Sequence, residues 1–208
     1  MIAIIDYDAG NIKSVEKAFQ FLKQDVILTR DAGQILNADA VVLPGVGSFG
    51  DAMKKLENYG LVDIIHKVVE KNIPFLGICL GLQLLFDSSE ESPGVKGLGV
   101  LPGKIVKIPD DQGLKVPHIG WNSLKYPKPG RLFEGIKEEE YVYFVHSYYL
   151  VADSDDIVTA TTDYVAHIHA SVEKGNVFAC QFHPEKSSDV GLKILSNFIK
   201  VVDEYKNH

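Results

Sequence analysis

The stretch Gly77-Ile78-Cys79-Leu80-Gly81 closes an apolar run, Ile73–Ile78, and opens a helical pattern. Its G-x-C-x-G form is typical of a nucleophile elbow, a sharp strand-to-helix turn in which glycines flank the nucleophile because larger side chains would collide. The positive end of the following helix stabilises negative charge on the cysteine sulfur. A buried core cysteine is the commoner alternative beside an apolar strand, but the two flanking glycines favour a nucleophile at Cys79.

In the first half of the chain, which contains the elbow, short apolar runs alternate with segments of helical periodicity. Strands are predicted at Ile2–Asp6, Val26–Thr29, Ala38–Leu43 and Ile73–Ile78. Apolar residues between these runs recur at helical spacing, at Ile12, Val15, Phe19 and Leu22 and again at Leu61, Ile64, Ile65, Val68 and Val69. Apolar strands separated by helices indicate a parallel sheet covered on both faces.

The second half of the chain has a different organisation. Successive strands are predicted at Tyr141–Val151, Ile157–Thr161, His167–Val172 and Val177–Phe182, followed by a helix from about Asp189 to Tyr205. Segment 87–135 is rich in glycine and proline, which predicts loops and short strands. We therefore predict one α/β domain over residues 1–208, with a central, mainly parallel sheet flanked by helices and antiparallel strands in the second half.

Bulk properties exclude several classes of protein. The chain has 208 residues, enough for one domain with its own core, and a formal net charge of −7, which argues against a nucleic-acid or anionic-membrane surface. Its two cysteines cannot form a disulfide framework, which favours a reducing compartment. The segment Met1–Asp6 does not resemble a signal peptide, and no apolar stretch reaches membrane-spanning length. We expect a cytoplasmic protein.

A second motif, Gln181-Phe182-His183-Pro184-Glu185, supplies a candidate base and its orienting carboxylate. If the segment is extended, His183 and Glu185 point to the same side, so the carboxylate can steer the imidazole. Pro184 fixes its own φ and restricts His183 to extended conformations. A loop histidine beside a solvated carboxylate is the alternative for this motif alone. Together with Cys79, the pair predicts a Cys-His-Glu triad for acyl transfer.

The loop Gly45–Gly50 reads G-x-G-x-x-G, so a dinucleotide site has to be considered. The loop follows the third predicted strand rather than the first, and the next strand ends at Cys79 instead of an acidic residue for a ribose. We favour a glycine-rich loop whose backbone N–H groups face the elbow and, with the N–H of Leu80, stabilise an oxyanion.

Other candidate motifs carry less weight. Gly99–Ile105 is one residue short of a phosphate-binding loop and lacks its hydroxyl. His167 and His169 share a strand face but have no third ligand at matching spacing, so no metal site is predicted. Cys180 lies inside an apolar run and is assigned to the core. The aromatic residues of the second half are assigned to core and rim, with an exposed part available to a partner protein; they are Tyr141, Tyr143, Phe144, Tyr148 and Tyr149.

The elbow cysteine and the downstream His-Pro-Glu resemble those of the class I glutamine amidotransferase family. Further similar segments run through nearly the whole chain and are Asp6-Tyr7, Gly10-Asn11, Leu43–Gly47, Leu76–Gln83, Pro117–Asn122, Tyr143–Tyr148 and Gln181–Lys186. The Pro-Gly-Val-Gly, His-Ile-Gly-Trp-Asn and Phe-Val-His-Ser-Tyr segments are similar to the branch of the family that serves histidine biosynthesis. Asp8 departs from the small residue expected at its position.

The resemblance implies a glutaminase that releases ammonia from glutamine without a cofactor. Cys79 would be the nucleophile, His183 the acid and base, and Glu185 its orienter. Val46 and Leu80 would donate the oxyanion-hole N–H groups, and the Gly45–Val46 peptide can point the wrong way until a partner's ligand binds, so its resting orientation stays open. The residues that would hold glutamine are Gly47, Gln83, Glu91, His146, Ser147 and Tyr148.

The resemblance also implies a partner, because ammonia is useful only if it is delivered before it escapes. The partner would be a cyclase subunit with a (β/α)8 barrel, contacted by Asn11, Trp121, Tyr143 and Lys186. The glutaminase subunit of a synthase that makes pyridoxal phosphate is an alternative, against which the His-Ile-Gly-Trp-Asn segment argues. A non-catalytic interaction module is another, and the intact triad disfavours it.

Overall fold

A computed structural model describes residues 1–110 and 113–207. Its strands, in chain order, are β1 (Ile2–Ile5), β2 (Val26–Thr29), β3 (Ala40–Leu43), β4 (Phe75–Ile78), β5 (Ser88–Ser89), β6 (Gly103–Lys107), β7 (His118–Ser123), β8 (Tyr141–His146), β9 (Tyr148–Ala152), β10 (Val158–Tyr164), β11 (Ala166–Lys174) and β12 (Val177–Cys180). Its α-helices are α1 (Ile12–Phe21), α2 (Ala32–Leu36), α3 (Phe49–Asn58), α4 (Leu61–Glu70), α5 (Leu80–Leu84) and α6 (Ser188–Lys206).

The central sheet has seven strands in the order β10-β11-β12-β4-β3-β1-β2. The five strands from β12 to β2 are parallel, while β10 and β11 extend the sheet in antiparallel fashion. The fold class predicted from the sequence is therefore confirmed. Because β4 lies between β3 and β12, the elbow that follows it is flanked by the chain leaving both neighbours.

Each face of the central sheet packs against its own set of helices. Alternate residues of β1 show the division: Ala3 and Ile5 face a core shared with α2, α3 and α4, whereas Ile2 and Ile4 face one shared with α1 and α6. This two-residue alternation is the pleat of a strand buried on both sides. The helices thus leave the carboxyl ends of the parallel strands open, where α/β sheets bind ligands.

The predicted boundaries need one substantial correction. Tyr141–Val151, predicted as a single strand, is two strands in different sheets: β8 pairs with β7, and β9 pairs with β6. The chain breaks at Ser147 because it passes from one sheet to the other over the elbow. Two helices, α2 and α3, were not predicted, and none of the helices in the described ranges is long and apolar enough to cross a membrane.

Candidate active site

The elbow holds Cys79 in a strained conformation between β4 and α5. Its φ of 55° and ψ of −109° lie outside the regions that non-glycine residues prefer. The N–H of Cys79 donates to the carbonyl of Cys180, 2.8 Å away on β12. A Cβ on Gly81 would lie 1.8 Å from the carbonyl oxygen of Leu43, and one on Gly77 would lie 2.7 Å from that of Gly81. The expected need for both glycines is confirmed.

The surroundings of the Cys79 sulfur differ from the sequence expectation in one respect. Helix α5 has only five residues, so its dipole supplies less stabilisation than a long helix would. The side-chain amide of Gln181, fully buried, instead donates toward the sulfur over 3.7 Å. Sequence reasoning missed Gln181 as a contact of the nucleophile, although it opens the His-Pro-Glu motif.

His183 and Glu185 make the predicted contact, but for a different geometric reason. Nδ1 of His183 lies 2.7 Å from Oε1 of Glu185, whose side chain is fully enclosed. His183 is extended, whereas Pro184–Lys186 forms a 3-10 turn. The expectation of a continuous extended segment is therefore wrong. The turn brings the carboxylate back to the imidazole, and the proline provides its first residue.

Asn11 contacts this pair, although the resemblance placed it at a partner interface. Its side-chain Nδ2 donates to Oε1 of Glu185 over 2.6 Å and lies 3.5 Å from Nδ1 of His183. Asn11 adopts a left-handed conformation, with φ of 67°, immediately before α1. The start of α1 therefore orients the carboxylate of Glu185.

The charge on His183 follows from its contacts. Burial lowers the pKa of His183, but the neighbouring Cys79 and the carboxylate of Glu185 raise it, and the net effect is a pKa of about 9. The imidazole is thus protonated at neutral pH and lies between two groups that favour its positive charge. This arrangement suits proton donation to a leaving group.

The oxyanion donors are not assembled in this structure. The N–H of Leu80 donates to the carbonyl oxygen of Gly45 over 3.3 Å, so the Gly45–Val46 peptide presents its oxygen, rather than the Val46 N–H, to the elbow. The reason is local, because a buried N–H pairs with a nearby backbone acceptor. The expectation that the N–H groups of this loop face the elbow is therefore not met in this conformation.

Tyr7 contacts the loop that carries the Gly45–Val46 peptide. Its hydroxyl donates to the carbonyl of Pro44 over 2.9 Å, and burial raises the pKa of Tyr7, which keeps the phenol protonated. A Cβ on Gly45 would lie 2.0 Å from the Tyr7 hydroxyl. Only glycine fits at position 45, next to the peptide that covers the oxyanion position.

A cleft of about 280 Å³ opens in front of Cys79. The residues that line it are Val46, Gly47, Cys79, Leu80, Gln83, Glu91, Pro117, Val145, His146, Ser147 and Tyr148. The structure thus brings all six predicted glutamine-binding residues and both predicted oxyanion residues together with the nucleophile. A larger cavity of about 400 Å³, beside α6 and Tyr126, includes no triad residue.

Two of the cleft residues are already held by hydrogen bonds. Nε2 of Gln83 donates to the carbonyl of Tyr148 and to Oε1 of Gln181, both over 3.0 Å. Oε2 of Glu91 accepts the N–H of Phe49 at the start of α3, at 2.8 Å. Glu91 therefore presents a positioned carboxylate to the cleft.

The remaining predicted interface residues lie beside the triad. Trp121 on β7 is half exposed, and its ring meets that of Tyr143 on β8 edge to face, with centroids 6.0 Å apart. Lys186 is exposed on the 3-10 turn that carries Glu185. The carbonyl of Tyr143 accepts the N–H of His183 at 2.9 Å. This backbone hydrogen bond therefore links the aromatic pair of Trp121 and Tyr143 to the triad.

The other sequence candidates have structural partners. His167 pairs with Asp163 at 2.8 Å, and His169 lies 3.7 Å from Asp155. Within residues 1–110 and 113–207, no three side chains of histidine, cysteine, aspartate or glutamate come together as a metal site would require. Cys180 is fully buried with a free thiol, as assigned.

Comparison with known proteins decides the family. The sequence profile of the class I glutamine amidotransferases matches residues 3–202. The chain belongs to this family. It is 52% identical to the imidazole glycerol phosphate synthase subunit HisH of Moorella thermoacetica, over 97% of this chain and 95% of the relative. It is 50% identical to the corresponding subunit of Methanocaldococcus jannaschii, over 97% of this chain and all of the relative.

Solved structures agree with this glutamine amidotransferase fold. A structure described as a glutamine amidotransferase superposes with a TM-score of 0.77 over 98% of this chain and 100% of that one, at 20% identity. The glutaminase domain of Trypanosoma brucei CTPS superposes with a TM-score of 0.67 at 18% identity, over 96% of this chain and 93% of that one. The predicted enzyme class, glutaminase subunit of imidazole glycerol phosphate synthase in histidine biosynthesis, is confirmed by the family and the relatives.

Proposed function

We propose that Cys79, His183 and Glu185 hydrolyse L-glutamine to glutamate and ammonia inside the cleft. The observation that carries the proposal is the meeting of a strained elbow cysteine, a charged histidine and a cleft of about 280 Å³. The cleft lies at the carboxyl end of the parallel strands, where α/β sheets bind small molecules.

The reaction proceeds in two halves. The sulfur of Cys79 attacks the side-chain amide carbon of glutamine, and the charged His183 gives its proton to the departing nitrogen, so ammonia leaves and a glutamyl thioester remains. Neutral His183 then takes a proton from water, the resulting hydroxide attacks the thioester carbon, and glutamate leaves. Glu185 holds the imidazole through Nδ1, so that Nε2 works on the substrate.

Glutamine binds with its α-amino acid group at the far end of the cleft from Cys79. Glu91, held by the N–H of Phe49, accepts the α-ammonium group in a charge-assisted hydrogen bond. The remaining contacts to glutamine come from Gly47, Gln83, His146, Ser147 and Tyr148, which line the cleft.

The oxyanion position is filled by rotation of the Gly45–Val46 peptide. In the present conformation the carbonyl of Gly45 accepts the N–H of Leu80, which blocks the position that a substrate oxygen would take. Rotation of this peptide frees the Leu80 N–H and turns the Val46 N–H inward, giving the two donors that the tetrahedral intermediate requires. We infer that docking of the partner and its ligand favours the rotated peptide.

The relatives are named as subunits, and a subunit implies a second one. We propose that the second subunit is a cyclase with a (β/α)8 barrel, which receives the ammonia and makes imidazole glycerol phosphate and aminoimidazole carboxamide ribotide. The docking face comprises Trp121, Tyr143 and Lys186, with Asn11 linking that face to Glu185. A cytoplasmic location agrees with two free thiols.

The experiment measures glutamate release from glutamine with the cyclase present, for the wild type and for Cys79→Ala. We expect Cys79→Ala to lose about 10⁴-fold or more, as nucleophile removal does in other triads. Cys180→Ala is the matched control, because this thiol is buried outside the cleft, and it should remain active. Activity that survives Cys79→Ala would overturn the mechanism.

A further inference from the structure

Two buried histidines lie in contact at the back of the cleft. Nδ1 of His118 on β7 is 3.0 Å from Nε2 of His146 on β8, and the two residues are direct cross-strand partners. The ring of His118 is stacked between Tyr164, with centroids 3.9 Å apart, and Phe144, at 4.9 Å. Packing on both faces fixes the plane of this ring, and its contacts with His146 and Asn122 define which edge faces His146.

The hydrogen bonds assign the proton positions in this pair. Nδ1 of His146 lies 2.9 Å from the carbonyl oxygen of Tyr148, which can only accept, so Nδ1 carries the proton. In the neutral ring Nε2 is then an acceptor, and Nδ1 of His118 must donate to it. Nε2 of His118 is left to accept from the side-chain amide of Asn122, at 3.5 Å.

Both rings are neutral, as this assignment requires. Burial lowers the pKa of His118 to about 4 and that of His146 to about 3. The nearby His183 also disfavours a positive charge on His146. A protonated His146 would also present a donor to the donor of His118. The chain of donors therefore runs in one direction, from Asn122 to His118, His146 and Tyr148.

This series of hydrogen bonds ends on atoms of the glutamine cleft. The carbonyl of Tyr148 accepts from His146 and from Gln83, and Gln83 in turn contacts Gln181, which lies next to the Cys79 sulfur. It begins on β7, one residue from the half-exposed Trp121. Asn122 is fixed there by a second bond, to the carbonyl of Asp163 at 3.1 Å.

We propose that His118 is a positioning residue for glutamine binding: its Nδ1–H holds the ring of His146, which fixes the Tyr148 segment where the substrate lies. The proposal rests on the glutamine site described under Proposed function. His118 does not line the cleft itself, so it acts through His146. Loss of its donor leaves Nε2 of His146 buried and unpaired, and the ring and the Tyr148 carbonyl can then shift.

Two substitutions of similar polarity separate this role from simple packing. The amide of an asparagine reaches about the position of a histidine Nδ1, whereas that of a glutamine reaches about the position of Nε2. His118→Asn therefore keeps the donor to His146, and His118→Gln keeps only the contact with Asn122. Both remove the stacked ring, so their difference reports the hydrogen bond alone.

The test is steady-state glutaminase kinetics of the two variants and the wild type, each saturated with the cyclase. We expect His118→Gln to raise the KM for glutamine about tenfold, equivalent to about 1.4 kcal/mol, with kcat changed much less. His118→Asn should stay within about twofold of the wild type, because the buried acceptor keeps its donor. Equal effects of the two variants on KM, or a loss confined to kcat, would overturn the proposal.

A second measurement separates this proposal from the glutamine site on which it rests. An electrophilic glutamine analogue is used to label Cys79, and glutamine is added as a protectant. Failure of glutamine to protect the wild type would overturn the glutamine site itself. Protection of the wild type with a tenfold weaker protection of His118→Gln supports the positioning role, and equal protection of both contradicts it alone.

Discussion

The triad and the oxyanion loop lie on opposite sides of Cys79 and differ in their state of assembly. His183, Glu185 and Asn11 are joined by hydrogen bonds of 2.6 and 2.7 Å, and the side chains of His183 and Glu185 are enclosed. On the other side, the Gly45 carbonyl occupies the Leu80 N–H that a substrate oxygen needs. Under the proposed mechanism, the half of the site that would transfer protons is built in, whereas the half that would stabilise negative charge is not.

The contrast indicates where a glutaminase of this kind can be controlled. A buried, charged triad is held by many contacts, and its rearrangement would leave charges unpaired in the interior. A single peptide between Gly45 and Val46 can rotate at far lower cost, and each oxyanion donor is worth about 10²–10³ in rate. We therefore propose that control of ammonia release falls on the loop.

The largest expected effect comes from breaking the assembled half. Glu185→Gln removes the negative charge that holds Nδ1 of His183 and should lower kcat by about 10²–10⁴-fold, as loss of the orienting carboxylate does in other triads. The measurement is glutamate release in the cyclase complex. A loss of less than about tenfold would mean that Asn11 and packing orient the imidazole without the carboxylate.

The same variant has a pH signature. Because the pKa of His183 is raised from 6.5 to about 9, the stabilisation from its charge is complete below about pH 6.5 and is lost as the pH rises through 9. Urea unfolding of the wild type should therefore show a falling free energy of unfolding over this window. Glu185→Gln should show a smaller fall, since one source of the raised pKa is gone.

The next prediction tests whether the partner docks beside the triad, at Trp121. Trp121→Ala should weaken cyclase binding by about 10- to 100-fold, the cost of truncating a central aromatic residue of an interface. The dissociation constant is measured by titration. Phe21→Ala is the matched control, because Phe21 is also an exposed aromatic residue but lies at the end of α1 that is remote from Asn11. Equal dissociation constants for the two variants would show that Trp121 does not belong to the docking face.

A smaller effect is expected from the support behind the oxyanion loop. Tyr7→Phe removes the donor to the Pro44 carbonyl, one residue before the peptide that rotates. A change of about 1 kcal/mol in the balance of the two orientations corresponds to about fivefold. We expect the ratio of glutaminase activity with and without the cyclase to fall by about this factor. An unchanged ratio would show that Tyr7 does not restrain the peptide.

The smallest effect concerns Asp8, where the resemblance leads us to expect a small residue. It has φ of 61°, accepts from Arg30 at 2.7 Å and from the hydroxyl of Tyr59, and is exposed. Asp8→Gly loses these solvent-exposed contacts but gains freedom at a left-handed position. The two changes oppose each other, so thermal melting and glutaminase activity should stay within error of the wild type.

Much of the fold was predictable because it rests on local patterns. Continuous apolar runs marked the parallel strands, and glycines that no side chain could replace marked the elbow. Helix α3 was missed although Phe49, Met53 and Leu56 are buried at helical spacing, because the glycines of Gly45–Gly50 indicate a loop where the helix begins. The break at Ser147 had no local signal, since it depends on which sheet each strand joins.

The site was predictable as a set of residues but not as a set of contacts. Asn11 and Glu185 are separated by 174 positions, and nothing local relates their side chains. The roles of Gln181 and His118 also depend on residues that only the tertiary fold brings together. The orientation of the Gly45–Val46 peptide is a choice between two backbone conformations that one sequence allows.

The most direct test compares glutamate release by the chain alone with release by its complex with the cyclase and the cyclase's ligand. If the Gly45 carbonyl blocks the oxyanion position, completing the complex should raise kcat by about 10²-fold or more, and Cys79→Ala should be inactive in both states. An isolated chain as active as the complex would contradict control by the oxyanion loop.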